Sequence, residues 1–177
     1  MSAAWPVITT QELGFSPEFY PQWSAVSGIV AAVFGVVIAP LVDRVTAELA
    51  LIWGLAFKAL VIAAAGLLAG QWVNENLLIA LIFLVGLASQ LLTIATIALF
   101  MNLCTPKVAA TQFAVYMALS NLALSTGSAA IGWLDAVFTF EQVFYVIAIV
   151  DVVMLVFMLK FDLASHKVRV KARFGVA

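Results

Sequence analysis

Two charged residues, Lys58 and Asp151, lie inside long apolar segments of the sequence. Lys58 is 11 residues from the start of its segment and Asp151 is 10 residues from the end of its own. A helix would place both at a depth of about 15–17 Å. An isolated charge at the bilayer centre costs about 2.5–3.5 kcal/mol, so equal depth and opposite sign predict an ion pair. A proton relay through either residue is the alternative interpretation.

A stripe of polar and small side chains follows one face of the third apolar segment. At about 100° per residue, its members fall within about a third of the helix circumference. They are Gly86, Ser89, Gln90, Thr93 and Thr96. Such a stripe inside a membrane faces either a partner helix or a water-filled cavity. Both interpretations stay open, although an apolar seam would rarely satisfy the four hydrogen-bonding positions of Gln90.

The fourth apolar segment carries two stripes on roughly opposite faces. One consists of Gln112, Tyr116, Ser120, Ala123 and Gly127, and the other of Asn121, Ser125, Ser128 and Gly132. A helix that is polar or small on two faces is expected to have neighbours on both. We therefore expect this helix to lie inside the bundle.

Small residues recur along one face of the first apolar segment. They are Ser24, Gly28, Ala32, Gly35 and Ala39. Small residues at four-residue intervals allow two helix backbones to approach closely in a membrane. The pattern predicts a packing seam with a second helix.

Groups suited to enzyme chemistry are scarce. The sequence has one cysteine, Cys104, and one histidine, His166, which lies in a basic tail. A Ser–His dyad at membrane depth and a multi-cysteine metal site are therefore excluded. The net charge of −1 provides no basic face for nucleic acid. We predict no enzymatic activity, no metal, no cofactor and no nucleic-acid partner.

The composition requires these residues to be carried by membrane helices. Of the 177 residues, 66% are hydrophobic and 10% are charged, whereas about 25% of an average soluble domain is charged. Five apolar runs are near or above the roughly 20 residues that cross a bilayer as a helix. They lie at 23–42, 47–69, 77–104, 108–134 and 143–161. The sequence predicts an all-α integral membrane protein with a five-helix membrane domain over 23–161.

Lysine and arginine are distributed unevenly between the two sides of this domain. All but one fall on one side: Arg44, Lys107, Lys160, Lys167, Arg169, Lys171 and Arg173. On the other side, 1–22, 70–76 and 135–142 contain acidic residues and no basic residue. Because basic loops stay in the cytoplasm, 1–22 is predicted to be an external loop and 162–177 a basic cytoplasmic tail.

The N-terminal segment 1–22 lacks the basic and apolar regions of a signal peptide. A chain that begins outside without an export signal suggests that an upstream helix is missing. Trp23, Trp72 and Trp133 fall near the external ends of their helices. We expect them in an interfacial aromatic belt.

The loop after the first apolar run resembles a known transporter motif. Ala39-Pro40-Leu41-Val42-Asp43-Arg44-Val45 is similar to the G-x-L-x-D-R-x-G-R-R motif of the major facilitator superfamily. Other segments resemble, in order and spacing, the AmpG-type muropeptide permeases and their acetyl-coenzyme-A transporter relatives. These are Leu13-Gly14-Phe15-Ser16, Met101-Asn102-Leu103-Cys104, Ala110-Thr111-Gln112-Phe113-Ala114, Ala118-Leu119-Ser120-Asn121, Gly132-Trp133-Leu134 and Phe144-Tyr145.

The resemblance implies the C-terminal portion, helices eight to twelve, of a twelve-helix transporter. Such a protein would be a proton-driven permease of the bacterial inner membrane that imports a polar solute, for example a muropeptide, by alternating access. Its partners would be the solute, protons, the lipid bilayer and a missing N-terminal half, without which the chain would be inactive. A small membrane interaction subunit that assembles with another polytopic protein is the alternative.

By position, the resemblance also implies roles for individual residues. The substrate-cavity candidates are Gln90, Thr93, Gln112, Tyr116 and Ser120. The Asp43-Arg44 loop would belong to a cytoplasmic gate. The helices of Lys58 and Asp151 would be outer supports, which favours a structural ion pair.

Overall fold

The fold is a bundle of helices in which five are long and apolar enough to cross a membrane. A computed structural model describes residues 4–105 and 108–160. The helices are α1 (Ala4–Val7), α2 (Phe19–Val42), α3 (Ala47–Leu67), α4 (Glu75–Leu103), α5 (Ala109–Asp135) and α6 (Phe140–Leu159), with a π turn over Ile8–Glu12 and a 3-10 turn over Ala69–Gln71. The predicted all-α fold with five spanning helices is confirmed. The predicted tail 162–177 and the basic loop residue Lys107 lie outside the described residues.

Polar caps define where several spans begin. The Asn74 side chain accepts a hydrogen bond from the backbone N–H of Asn76 at the start of α4. Thr139 and Gln142 form a capping box at the start of α6. These two spans begin at 75 and 140, a few residues before the apolar runs at 77 and 143, because the caps and not the apolar residues satisfy the first free N–H groups.

α3 is the central helix of the bundle and packs against both α4 and α6. Glycines allow this close packing. A Cβ placed on Gly54 would lie 3.0 Å from Leu92 of α4, and one placed on Gly66 would lie 3.2 Å from the ring of Tyr145 of α6. The three helices therefore form the tightly packed part of the molecule.

α2 packs on α4 through small residues, as expected, but along a different row from the predicted one. Ser27, Ala31 and Gly35 are buried, and the Ser27 hydroxyl donates to the Ile82 carbonyl at 3.4 Å. Of the predicted row, Gly35 is in the contact, whereas Ala32 is exposed. Small residues occupy two neighbouring rows of α2, and the spacing alone does not select between them.

The chain before α2, predicted as a loop, contains α1 and the π turn and folds over one end of the bundle. We call this the amino end, because α2, α4 and α6 begin there. Gly14 has φ of +71°, a left-handed conformation that favours glycine, and it reverses the chain toward α2. Trp5 is 2% exposed and stacks on Trp72, with ring centroids 5.2 Å apart. Trp72 is 0% exposed, so it packs in an aromatic cluster and not in an interfacial belt.

α5 lies at the side of the bundle, not inside it as its two stripes predicted. It makes only a few contacts with α4 and α6, and every residue from 121 to 130 is exposed. The stripes indicate correctly that α5 has polar and small faces, but within the described chain only the first turns of α5 pack on α4, and the middle of the helix is left uncovered. The prediction that α5 is an interior helix is wrong for this five-helix bundle. An interior position would need neighbouring helices on both faces of α5, and the bundle does not provide them.

Candidate functional site

The two charges at membrane depth form an ion pair between α3 and α6. Lys58 Nζ lies 2.9 Å from Asp151 Oδ1, the pair that matched depth predicts. The side chains are 23% and 9% exposed, respectively. Removing one partner of a buried pair costs about 3–5 kcal/mol because the other charge loses its counter-ion. The pair therefore joins the central helix to α6.

Each member of the pair has unused hydrogen-bonding capacity. Asp151 Oδ2 is buried and has no hydrogen-bond partner among the described residues. A lysine ammonium has three donors, and within the described chain Lys58 uses one of them, toward Asp151. Lys58 thus retains donors on the side that faces away from the carboxylate.

A cavity of about 520 Å³ lies beside the pair, between α2, α4 and α5. We call it the central cavity. Its lining is rich in hydroxyl and amide groups: Tyr20, Ser24, Ser27, Ser89, Gln90, Thr93 and Ser128. Lys58 also lines it and is the charged residue of that lining. Trp5 and Tyr20 belong to the lining at the amino end.

A second cavity of about 360 Å³, the side cavity, adjoins the first toward α5. The two share Lys58, Ser89 and Thr93, together with Leu124. Polar residues that line only the side cavity are Thr96, Ser120 and Asn121. The ammonium group therefore lies where the two cavities meet.

Three of the five predicted substrate residues line these cavities. Gln90 and Thr93 line the central cavity, and Ser120 lines the side cavity. Gln90 packs against Gly35, where a Cβ would come within 2.7 Å of its Nε2. The glycine therefore makes room for the Gln90 amide, whereas the Thr93 hydroxyl donates to the Ser89 carbonyl at 2.9 Å.

Gln112 and Tyr116 are not brought to either cavity and have local contacts instead. Gln112 Oε1 accepts from the backbone N–H of Thr105 at 2.7 Å and from its hydroxyl at 2.9 Å. The ring of Tyr116 packs on Phe100 at 5.4 Å between centroids. Both lie in the first turns of α5, where the chain leaving α4 offers groups to bind. The spacing in the sequence predicts which face of the helix carries these two residues. It does not predict that Thr105 and Phe100 are close enough to bind them in place of a solute.

The predicted gating residues Asp43 and Arg44 lie in the turn that joins α2 to α3. Asp43 ends α2, and its backbone N–H donates to the Ala39 carbonyl at 3.0 Å. Both side chains are exposed. Neither forms an ion pair with any residue in the described ranges.

The contribution of the N-terminal segment to the central cavity is not apparent from the sequence. Trp5 stacks on Tyr20 with ring centroids 6.3 Å apart and meets Phe144 edge-on at 5.4 Å. Trp5 and Tyr20 line the central cavity at the amino end. The segment is too short to show a helical periodicity in its apolar residues. Its aromatic residues are the feature of the sequence that could have indicated a buried position.

Metal chemistry has no support at this site. No group of three or more histidine, cysteine, aspartate or glutamate side chains that could hold a metal ion occurs within residues 4–105 and 108–160. What the arrangement offers is one cation, several hydroxyls and two amides around two cavities that are partly open. These groups suit reversible binding of a polar molecule.

Comparison with known families identifies one match. The family model described as Major Facilitator Superfamily matches residues 1–176. No curated protein and no solved structure matches the chain.

Proposed function

The chain belongs to the Major Facilitator Superfamily, whose members are membrane transporters and not enzymes, and we propose that its central cavity binds the transported solute. The observation that carries the proposal is the polar lining of this cavity within a bundle of apolar helices. Gln90 and Thr93 of α4 and Lys58 of α3 all line it. A multi-pass membrane protein maintains such groups at depth when they bind a partner or a solute.

We propose that further helices cover α5 and complete the solute path. Every residue from 121 to 130 of α5 is exposed, including Ser125, which lines neither of the two cavities, and polar groups facing lipid have no hydrogen-bond partners. In alternating access, two helical repeats enclose the substrate between them. This supports a missing N-terminal half as the partner of α5 and implies that the five helices alone do not transport.

The solute class and the energy source follow from the resemblance to AmpG-type permeases. We propose a polar solute such as a muropeptide and symport with protons across the bacterial inner membrane. Asp151 is the carboxylate at depth that would take up a proton, because its Oδ2 has no hydrogen-bond partner among the described residues. The basic side of the helices would face the cytoplasm, with the N-terminus external.

Uptake of labelled muropeptide by bacteria that express the complete transporter tests this function. Gln90→Leu should reduce uptake by about tenfold or more, the equivalent of one lost hydrogen-bonding group. Gln112→Leu is the matched control, because Gln112 is engaged with Thr105 and the same substitution there should change uptake less than about threefold. Equal uptake by wild type and Gln90→Leu would remove Gln90 from the solute site.

A small membrane interaction subunit is the second candidate, and the same exposed face of α5 favours it. In that case α5 would bind another polytopic protein permanently. The gene upstream of Met1 separates the candidates: in-frame helices indicate part of a transporter, whereas a stop codon and a ribosome-binding site indicate a separate subunit.

A further inference from the structure

We propose that Lys58 binds an anionic group of the solute and that Asp151 is the residue that positions it. The inference rests on the proposed function, because it assigns a substrate class to the same cavity. It differs from a purely structural role for the ion pair. The ligand chemistry is a carboxylate or a phosphate on an otherwise polar molecule.

The first argument is the position of Lys58 relative to the cavities. Lys58 lines both the central and the side cavity, whereas Asp151 lines neither. Asp151 is 6% exposed and lies behind the ammonium group, toward α6. The cavities therefore meet the positive end of the pair.

The second argument is the charge of the lining. Among the described residues, Lys58 is the one charged side chain that lines either cavity. With its counter-ion behind it, the pair presents a dipole whose positive end points into a space surrounded by apolar helices. In such an environment a fixed charge acts more strongly than in water. An anion is attracted to this space, and a cation is repelled.

The third argument is the supply of hydrogen-bond donors beside the ammonium group. Lys58 keeps donors that Asp151 does not use, and the Gln90 amide has no hydrogen-bond partner in the described part of the chain. Both side chains line the central cavity. Carboxylate and phosphate oxygens accept several hydrogen bonds at once, and those from charged donors are the strongest. Lys58 and Gln90 together suit such a group.

Charge-selective labelling of a cysteine in the cavity tests the inference without any knowledge of the solute. Thr93 is exposed and lines both cavities, so Thr93→Cys in a Cys104→Ala background is the reporter. The probes are the anionic sulfonatoethyl and the cationic trimethylammonioethyl methanethiosulfonates. The measured quantity is the rate with the anionic reagent divided by the rate with the cationic reagent. This ratio at Thr93→Cys is then divided by the same ratio at Ser16→Cys, which lies in an exposed turn.

We expect the anionic reagent to be favoured in the chain with Lys58 and Asp151 intact. Asp151→Asn should raise the ratio and Lys58→Gln should lower it, each by about tenfold. Lys58→Arg should keep the ratio. The neutral pair Lys58→Gln with Asp151→Asn leaves no unpaired charge, so it folds even if the single variants do not. It should lower the ratio about threefold.

Two results would overturn the anion site: a ratio in the neutral pair equal to that of the intact pair, or no reaction of Thr93→Cys with either reagent. These results are independent of transport. A charge-dependent ratio with no uptake of muropeptide retains the anion site and overturns the proposed muropeptide import. An unchanged ratio with Gln90-dependent uptake retains the function and overturns the anion site.

Discussion

α3 and α5 are both long enough and apolar enough to cross a membrane, yet their surroundings differ completely. In the most apolar 18-residue stretch of each, 44% of α3 is buried and 0% of α5. In α3, Lys58 is paired with Asp151, and Gly54 and Gly66 pack closely against α4 and α6. α5 exposes Asn121, Ser125 and Ser128. Lys58 of α3 has its partner within the chain, whereas we expect the exposed middle of α5 to find its partners outside it.

The ion pair of α3 should give the largest effect on stability. Lys58→Met alone should lower the free energy of unfolding in detergent by about 3–5 kcal/mol, because it leaves Asp151 charged and buried without a counter-ion. The double variant Lys58→Met with Asp151→Leu should recover most of the loss. Denaturant titration followed by circular dichroism measures both.

Two results would contradict this account of the pair. A single variant within about 0.5 kcal/mol of the intact chain would show that the pair contributes little to holding α3 on α6. A double variant no more stable than the single variant would show that packing, and not the unpaired charge, causes the loss.

Matched glycine substitutions on α3 and α5 should give the next largest difference in stability. Gly54→Leu should destabilise the chain by about 1–3 kcal/mol, because its Cβ would meet Leu92 of α4. Gly127→Leu on α5 should have no cost, since nothing lies within 4 Å of a Cβ there. Thermal unfolding monitored by tryptophan fluorescence compares them. Equal losses would mean that α5 is packed as tightly as α3.

The comparison also shows what the sequence predicts and what it does not. The length of the apolar runs predicts the spanning helices, and the equal depth of Lys58 and Asp151 predicts their ion pair. Both predictions succeed because they depend only on distance along a helix. Which row of small residues on α2 packs against α4 depends on where α4 lies, and the spacing along α2 does not contain that information. The prediction that Ala32 belongs to the packing row is therefore wrong. The position of Gln112 depends on the two hydrogen-bond donors that Thr105 offers nearby. The role of Trp5 depends on a chain reversal that leaves no periodic pattern in the sequence.

The hydrogen bonds between Gln112 and Thr105 should give a smaller effect on stability. Gln112→Leu removes the acceptor of two hydrogen bonds at the start of α5 and should cost about 1 kcal/mol in the free energy of unfolding. Gln112→Glu keeps an acceptor oxygen and serves as the control. Denaturant titration of the three chains measures the difference, and no loss with Gln112→Leu would argue that this contact does not hold α5.

The exposed polar face of α5 should give the smallest effect on stability. Replacing Asn121, Ser125 and Ser128 together with leucine should change the free energy of unfolding by less than about 0.5 kcal/mol per site, because all three side chains are exposed and none makes a hydrogen bond within the described residues. The same triple variant should abolish uptake by the complete transporter. Denaturant titration and solute uptake on one variant measure the two effects, and a large stability loss would place this face in the core.

Cysteine accessibility in intact membranes tests the central claim most directly. Ser125→Cys on α5 and Ile149→Cys on the exposed face of α6 are compared, each in a Cys104→Ala background, by their rates with a membrane-impermeant maleimide. If the polar face of α5 borders the solute path, Ser125→Cys should react at least about tenfold faster than Ile149→Cys, because thiols react as thiolates in water. Equally slow reaction at both positions would contradict a solute path along α5.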